Sequence, residues 1–348
     1  MYKKFFMGIA AMAALTLVSC SSDDLNSFSD NSSKNEAISF DGYLGRSAVA
    51  VNGSRGSVLE IADLKTSTEG FGVFGNYNST GGQKFGFNLF NNEKVTYDAS
   101  AKTPAWKYSP LKYWPTDGHV DFLAYAPRVD SKQLTGSSID FTVEGDAANQ
   151  KDLLWANAPG QTKENGKVTF KFAHALSRLG YTVKLNDDYT GTTIKLNKIT
   201  LAGSNDGTKQ AFYKTGTIDL SYTSSPTSST TKLWNPSEEK QNFDWYSGDD
   251  QLSKTTAVKN PTTKYLFVIP QKFSASAPDQ LYVIVNYTIT YSDGTSVNTK
   301  VYKQLDKEFE QGKAYTINLN IGLTPIEFDA DVTPWNPKDG ESIDASWN

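Results

Sequence analysis

Residues 281–301 read LYVIVNYTITYSDGTSVNTKV. Leu281, Val283, Val285, Tyr287, Ile289 and Tyr291 fall on one parity, while Asn286, Thr288 and Thr290 take the other. Period-two alternation of this kind marks a strand with one buried face. Ser292, Asp293 and Gly294 follow as turn residues, because glycine accepts the positive φ of a tight hairpin, and Val297, Thr299 and Val301 carry the return strand. The same alternation recurs at Ala314–Ile321, with Tyr315, Ile317, Leu319 and Ile321 inward, and at Lys167–Phe172, with Val168, Phe170 and Phe172 inward. Between Ile194 and Leu201 the apolar parity changes, from Ile194 and Leu196 to Ile199 and Leu201, which predicts a β-bulge near Asn197. Helical signal is confined to Ala173–Leu179, enough for a turn or two.

A content of 13% aromatic residues, with abundant Thr, Ser, Asn and Gly, favours strands and turns throughout. The expected fold is all-β, with two antiparallel β-sandwich domains in tandem. A prior of about 150 residues per domain agrees with two. The polar run NAPGQTKENG at residues 157–166 is the expected join, which gives an N-terminal domain over 37–160 and a C-terminal domain over 161–348.

The chain opens differently. Lys3 and Lys4 precede a largely apolar run from Phe5 to Val18, and Leu17-Val18-Ser19-Cys20 has the branched, tolerant, small, Cys order of a lipobox. The run is shorter than the roughly 20 residues a spanning helix needs. Residues 1–19 therefore read as a lipoprotein signal peptide, and Cys20, the single cysteine, as its lipidation site. Each buried methylene of the attached chains adds roughly 0.8 kcal/mol of membrane affinity, so two or three chains hold a domain firmly. Residues 20–36 are polar and read as a disordered tether. Asp23 and Asp24 resemble the acidic surface-export signal of Bacteroidetes lipoproteins. From Cys20 onward the balance is 34 − 2 = 32 basic against 38 acidic side chains, or −6, which argues against nucleic acid as a partner.

Reactive chemistry is sparse. With one cysteine and two histidines, His119 and His174, there is little from which to build a zinc site or a nucleophile–base pair. Both histidines read as structural. The GxGxxG of Gly70–Gly75 is followed by NYNSTGGQKFG and not by a helix, so it reads as a glycine-laced strand. Acids are plentiful, but nothing singles out a glycosidase pair. Asp187-Asp188, Asp249-Asp250 and Asn205-Asp206-Gly207 read as loop residues without EF-hand spacing. No enzymatic centre, cofactor or metal is expected. Seven tryptophans leave one alternative function, a glycan-binding cell-surface lipoprotein with an aromatic platform.

Residues 106–127, WKYSPLKYWPTDGHVDFLAYAP, form a strand, a turn and a strand ending at Pro127, with their rings packed in a core. The block resembles the W-Y-P-x-x-Y-W-P…V-F-A-Y-P segment of the fimbrillin family, the Mfa-like subunits of type V fimbriae. Ile38-Ser39-Phe40, Phe71-Gly72-Val73-Phe74, the F-x-H-x-L-S-x-L of Phe172–Leu179 and the closing V-x-x-W of Val332–Trp335 follow in that family's order. The resemblance spans nearly the whole chain.

It implies two transthyretin-like sandwiches, export as a palmitoylated lipoprotein to the cell outer membrane, and assembly into a fimbrium by β-strand exchange with other subunits. In that scheme an Arg-specific protease removes the first strand, and a neighbour's C-terminal strand fills the groove. A glycan or protein receptor on a host or bacterial surface is the external partner such an adhesin implies. Two of four arginines, Arg46 and Arg55, lie in GYLGRSAVAVNGSRGS directly after the first strand; they are either processing sites or a chance pair in a Gly/Ser loop. The candidate donor strand is Pro325–Trp335, where Ile326, Phe328, Ala330 and Val332 alternate with Glu327, Asp329 and Asp331. The alternative is that this segment pairs within its own domain.

Overall fold

The computed structural model describes residues 36–44, 59–103, 105–223, 232–261 and 264–323, together with the backbone of 327–334. The signal peptide, Cys20, Arg46, Arg55 and Ile326 lie outside the described residues. The strands of the first half are β1 Phe40–Leu44, β2 Phe71–Asn78, β3 Phe90–Asp98, β4 Ala105–Lys107, β5 His119–Ala126, β6 Ser138–Thr142, β7 Leu154–Gln161 and β8 Val168–His174. Those of the second half are β9 Ser177–Leu185, β10 Thr192–Ala202, β11 Phe212–Tyr213, β12 Thr215–Asp219, β13 Trp234–Pro236, β14 Lys240–Gln241, β15 Phe243–Gln251, β16 Val258–Lys259, β17 Leu266–Val268, β18 Gln271–Lys272, β19 Leu281–Tyr291, β20 Ser296–Leu305, β21 Glu308–Phe309, β22 Lys313–Ile321 and β23 Glu327–Pro334. The all-β expectation holds. A six-residue helix, α1 at Ile61–Thr66, is the one α-helix among the described residues.

Seven strands form one sheet in the order β1-β8-β7-β5-β2-β3-β4. Side chains alternate across a strand, so this sheet has two faces, and along β2 and β5 both are buried. On one face Val73 of β2, Phe122 and Ala124 of β5, Leu154 and Ala156 of β7, and Phe170 and Phe172 of β8 share a hydrophobic cluster with Phe40, Phe90 and Trp106. On the other, Phe74, Leu123, Tyr125 and Trp155 join a second cluster built mostly by the second half of the chain. That double burial shows in the unbroken buried runs Phe71–Asn76 of β2 and Val120–Ala126 of β5.

The second cluster is enclosed by a four-stranded sheet, β15-β10-β19-β20, and by a sheet ordered β16-β9-β22-β23, on which β17 also pairs with β9. The expected hairpin at Leu281–Val301 is present, with Leu281 opposite Leu305, Tyr287 opposite Thr299 and Ile289 opposite Val297. Gly294 has φ 85°, and Tyr291 N–H donates to Thr295 O at 2.8 Å to close the turn. The bulge also falls where the parity change put it, since the register of β10 on both neighbours shifts between Leu196 and Lys198.

Two local expectations fail. Ala173–Leu179 is not helical: β8 ends at His174, β9 begins at Ser177, and the chain crosses between the clusters there. Ala175, Leu176 and Leu179 are fully buried in the second cluster while Phe172 is fully buried in the first, and only extended backbone serves both sheets in so few residues. The polar run at 157–166 begins inside the seven-stranded sheet. It holds the end of β7 and a 3₁₀ turn at Lys163–Asn165, and β8 beyond it belongs to the same seven-stranded sheet. Asn157, on β7, donates through Nδ2 to Leu220 O and Tyr222 O, both at 2.9 Å, and so ties that sheet to the second half of the chain. Among the predicted loop acids, Asp249 and Asp250 lie in β15 instead.

Candidate strand-exchange site

Strand β1 is attached differently from its neighbours. It lies parallel to β8, with Phe40 opposite Val168 and Leu44 opposite Phe172, and Ser39 O accepts Val168 N–H at 2.8 Å. The residues leading into it bridge to the segment after β4, where Ile38 N–H donates to Lys112 O at 2.8 Å and Trp114 N–H to Glu36 O at 3.0 Å. Tyr108 Oη donates to Ile38 O at 2.7 Å, and burial raises its phenol above the ordinary tyrosine value, which keeps the proton on the donor. Residues 36–44 thus fill the gap between β8 and the 112–114 segment.

Their inward side chains complete the first cluster. Ile38 is 1% exposed and Phe40 2%. The Phe40 ring lies 5.4 Å from that of Phe90, 5.3 Å from Tyr108, 5.6 Å from Phe122 and 5.7 Å from Phe170. Gly42 lies against the Phe172 ring, which a Cβ at that position would approach to 3.2 Å. Asp41 and Tyr43, on the alternate positions, are exposed. Burying side chains the size of Ile38 and Phe40 contributes about 1.5–3 kcal/mol each. Withdrawal of β1 would therefore open a groove whose floor is Phe90, Phe122 and Phe170 and whose edge is the backbone of β8.

The chain is fastened again at Leu59. Its N–H donates to Asp152 Oδ2 at 3.1 Å, and the same oxygen lies 2.7 Å from His174 Nδ1, in a pair whose side chains are fully buried. Leu64 of α1, which follows this anchor in the chain, is fully buried in the first cluster, and the helix start carries a reciprocal Glu60–Asp63 capping box. His174 has the structural role read from the sequence, but its carboxylate partner and the Leu59 anchor went unread. The signal available was a lone Asp152 between Lys151 and the apolar Leu153-Leu154-Trp155. Arg46 and Arg55 fall within residues 45–58, between the end of β1 and this anchor.

At the other end of the chain, β23 lies on the outer edge of its sheet, antiparallel to β22. The register places Phe328 opposite Leu319, Ala330 opposite Ile317 and Val332 opposite Tyr315, three residues of β22 that are at most 3% exposed. Glu327, Asp329 and Asp331 stand opposite Asn320, Asn318 and Thr316. The apolar positions of the candidate donor strand are thus in step with the buried positions of β22, and in the isolated chain the strand pairs in its own domain. The five described tryptophans, Trp106, Trp114, Trp155, Trp234 and Trp245, are all buried at 9% exposure or less, and none offers an open ring as a platform. Among the described residues no cluster of three or more metal-ligating side chains forms.

The described chain is thus a body of packed sheets with a separately fastened first strand and an edge-positioned last strand. The fimbrillin-like family model matches residues 61–335, and the chain belongs to that family. It is similar to fimbrium subunit Fim1C of Phocaeicola vulgatus, 26% identical over 92% of this chain and 93% of that protein. Among solved structures, a protein assigned to cell adhesion from Bacteroides uniformis aligns over 86% of this chain and 99% of its own, at 16% identity and a TM-score of 0.49. The tip fimbrial protein Mfa3 of Porphyromonas gingivalis aligns over 79% and 96%, at 12% identity and a TM-score of 0.39. The chain is thus a member of a fimbrial-subunit family, whose place is the cell-surface fimbrium and whose partners are other subunits.

Proposed function

We propose that this chain is a non-enzymatic fimbrial building block made of two transthyretin-like sandwiches, with the crossing between them at β8–β9. It is exported as a lipoprotein on Cys20, held at the outer membrane, and cut behind Arg46 or Arg55. The cut frees β1, and the terminal strand of another copy, carrying Ile326, Phe328, Ala330 and Val332, takes its place on β8. Main-chain hydrogen bonds along the open edge and apolar side chains in the vacated pockets supply the affinity.

One observation supports this reading above the others. Residues 36–44 plug an aromatic groove, yet the chain is independently pinned at Leu59, so everything from Leu59 onward keeps its anchor when the plug leaves. Both arginines lie between plug and pin. N-terminal sequencing of protein recovered from the cell surface tests the proposal. The expected start is Ser47 or Gly56, with SDS-resistant ladders on mild heating, and R46A/R55A should leave the start at Cys20 and remove the ladders. A start at Cys20 in wild-type ladders would defeat the cut.

A further inference from the structure

The second half of the chain forms an open-mouthed cavity of about 390 Å³ between β13 and β18. That volume lies in the range of about 300–1,000 Å³ found for small-ligand sites. Its inner wall is aromatic. Trp234 is fixed by its Nε1 donating to Ala175 O at 2.7 Å, and Phe273 is 1% exposed, while Tyr213 and Tyr222 are half-buried and lie further out.

The polar groups lean towards an anion. Lys232 and Lys272 line the opening, both exposed, and neither forms an ion pair among the described residues. The carboxylate in the lining, Asp279, is already engaged by Lys240 Nζ at 3.0 Å, and that ammonium also sits 4.9 Å over the Tyr213 ring. Gln271 contributes a buried Nε2 with no hydrogen-bond partner. A buried donor left without an acceptor is unfavourable, and a ligand oxygen would relieve it. The strands around the cavity offer little free edge for a peptide, because β12 lies between β13 and β6 and β18 is paired with β21.

We propose that this cavity binds a carboxylated monosaccharide at the end of a glycan chain. The apolar face of the pyranose ring stacks on the tyrosines, the rim lysines take the carboxylate, and Gln271 donates to a ring substituent. The site is built on strands other than β1 and β23, and the proposal goes beyond strand exchange without depending on it.

Saturation-transfer NMR on the full-length chain in detergent micelles tests this, with N-acetylneuraminic acid and methyl glucuronide as probes and methyl glucoside as the neutral control. Both acids should bind with millimolar affinity and the glucoside at least about tenfold more weakly. The exposed pair K232A/K272A, shown by its melting curve to be folded, should lose that preference, and Gln271→Ala should weaken all three probes. Equal binding of acid and neutral sugars, wild-type affinity in the lysine variant, or no transfer at roughly 10 mM probe would each overturn the site. A peptide with a free α-carboxylate that outcompetes both acids would overturn it in favour of a protein ligand. Ladder formation is read separately, so either proposal can fail while the other stands.

Discussion

Asp121 shows how much of this fold rests on single polar side chains. It is fully buried on β5, where Oδ1 accepts Gly160 N–H at 2.7 Å and Oδ2 accepts Lys84 N–H and Asn78 Nδ2–H, both at 2.7 Å. One carboxylate thereby ties β7 and the loop after β2 to the central strand. Asp121→Ala leaves two backbone donors without partners, at about 1–3 kcal/mol each, and should lower the unfolding free energy in urea by about 3 kcal/mol or more. Asp121→Asn keeps one acceptor and should lose less. Phe40 behaves differently. Removing its ring should cost the untrimmed chain about 3–5 kcal/mol by the same measurement. If β1 is cut away as proposed, that ring is absent from assembled ladders, and Phe40→Ala should leave their stability unchanged.

At the scale of elements, legibility followed how local the signal was. The β19–β20 hairpin, the inward faces of β8 and β22, and the Asn197 bulge were all readable, because alternation and turn chemistry are written in adjacent residues. The parallel pairings of β1 with β8 and of β22 with β9 were not, since contacts between distant segments leave no periodic trace. Helix α1 escaped notice because its six residues bury only Leu64. At Ala173–Leu179 the conflict runs the other way: Ala and Leu favour helix locally, and the demand for extended chain between two sheets overrides them. The candidate exchange parts were legible as segments, whereas the Asp152–His174 pair that holds Leu59 needed three distant pieces of chain. The role of β23 is testable at this scale. A synthetic peptide of residues 326–334, added in excess to trimmed chain, should stop ladder growth on gels, and the same peptide carrying Phe328→Asp should not.

Across the molecule, the seven-stranded sheet belongs to both hydrophobic clusters, with Phe122 and Ala124 on one side and Leu123 and Tyr125 on the other. Neither core can melt while the other keeps this shared wall intact. Residues 36–334 should accordingly unfold in one calorimetric transition, with a van't Hoff enthalpy close to the measured one, unlike two sandwiches strung on a linker. The parallel seating of β1 has a mechanical consequence too. Tension applied at its residue-36 end along the strand axis would load the rungs on β8 together, in shear. Bonds strained side by side give way all at once or not at all, whereas a zipper opens tooth by tooth. A strand seated this way would resist being dragged out lengthwise by flow or by a tugging surface.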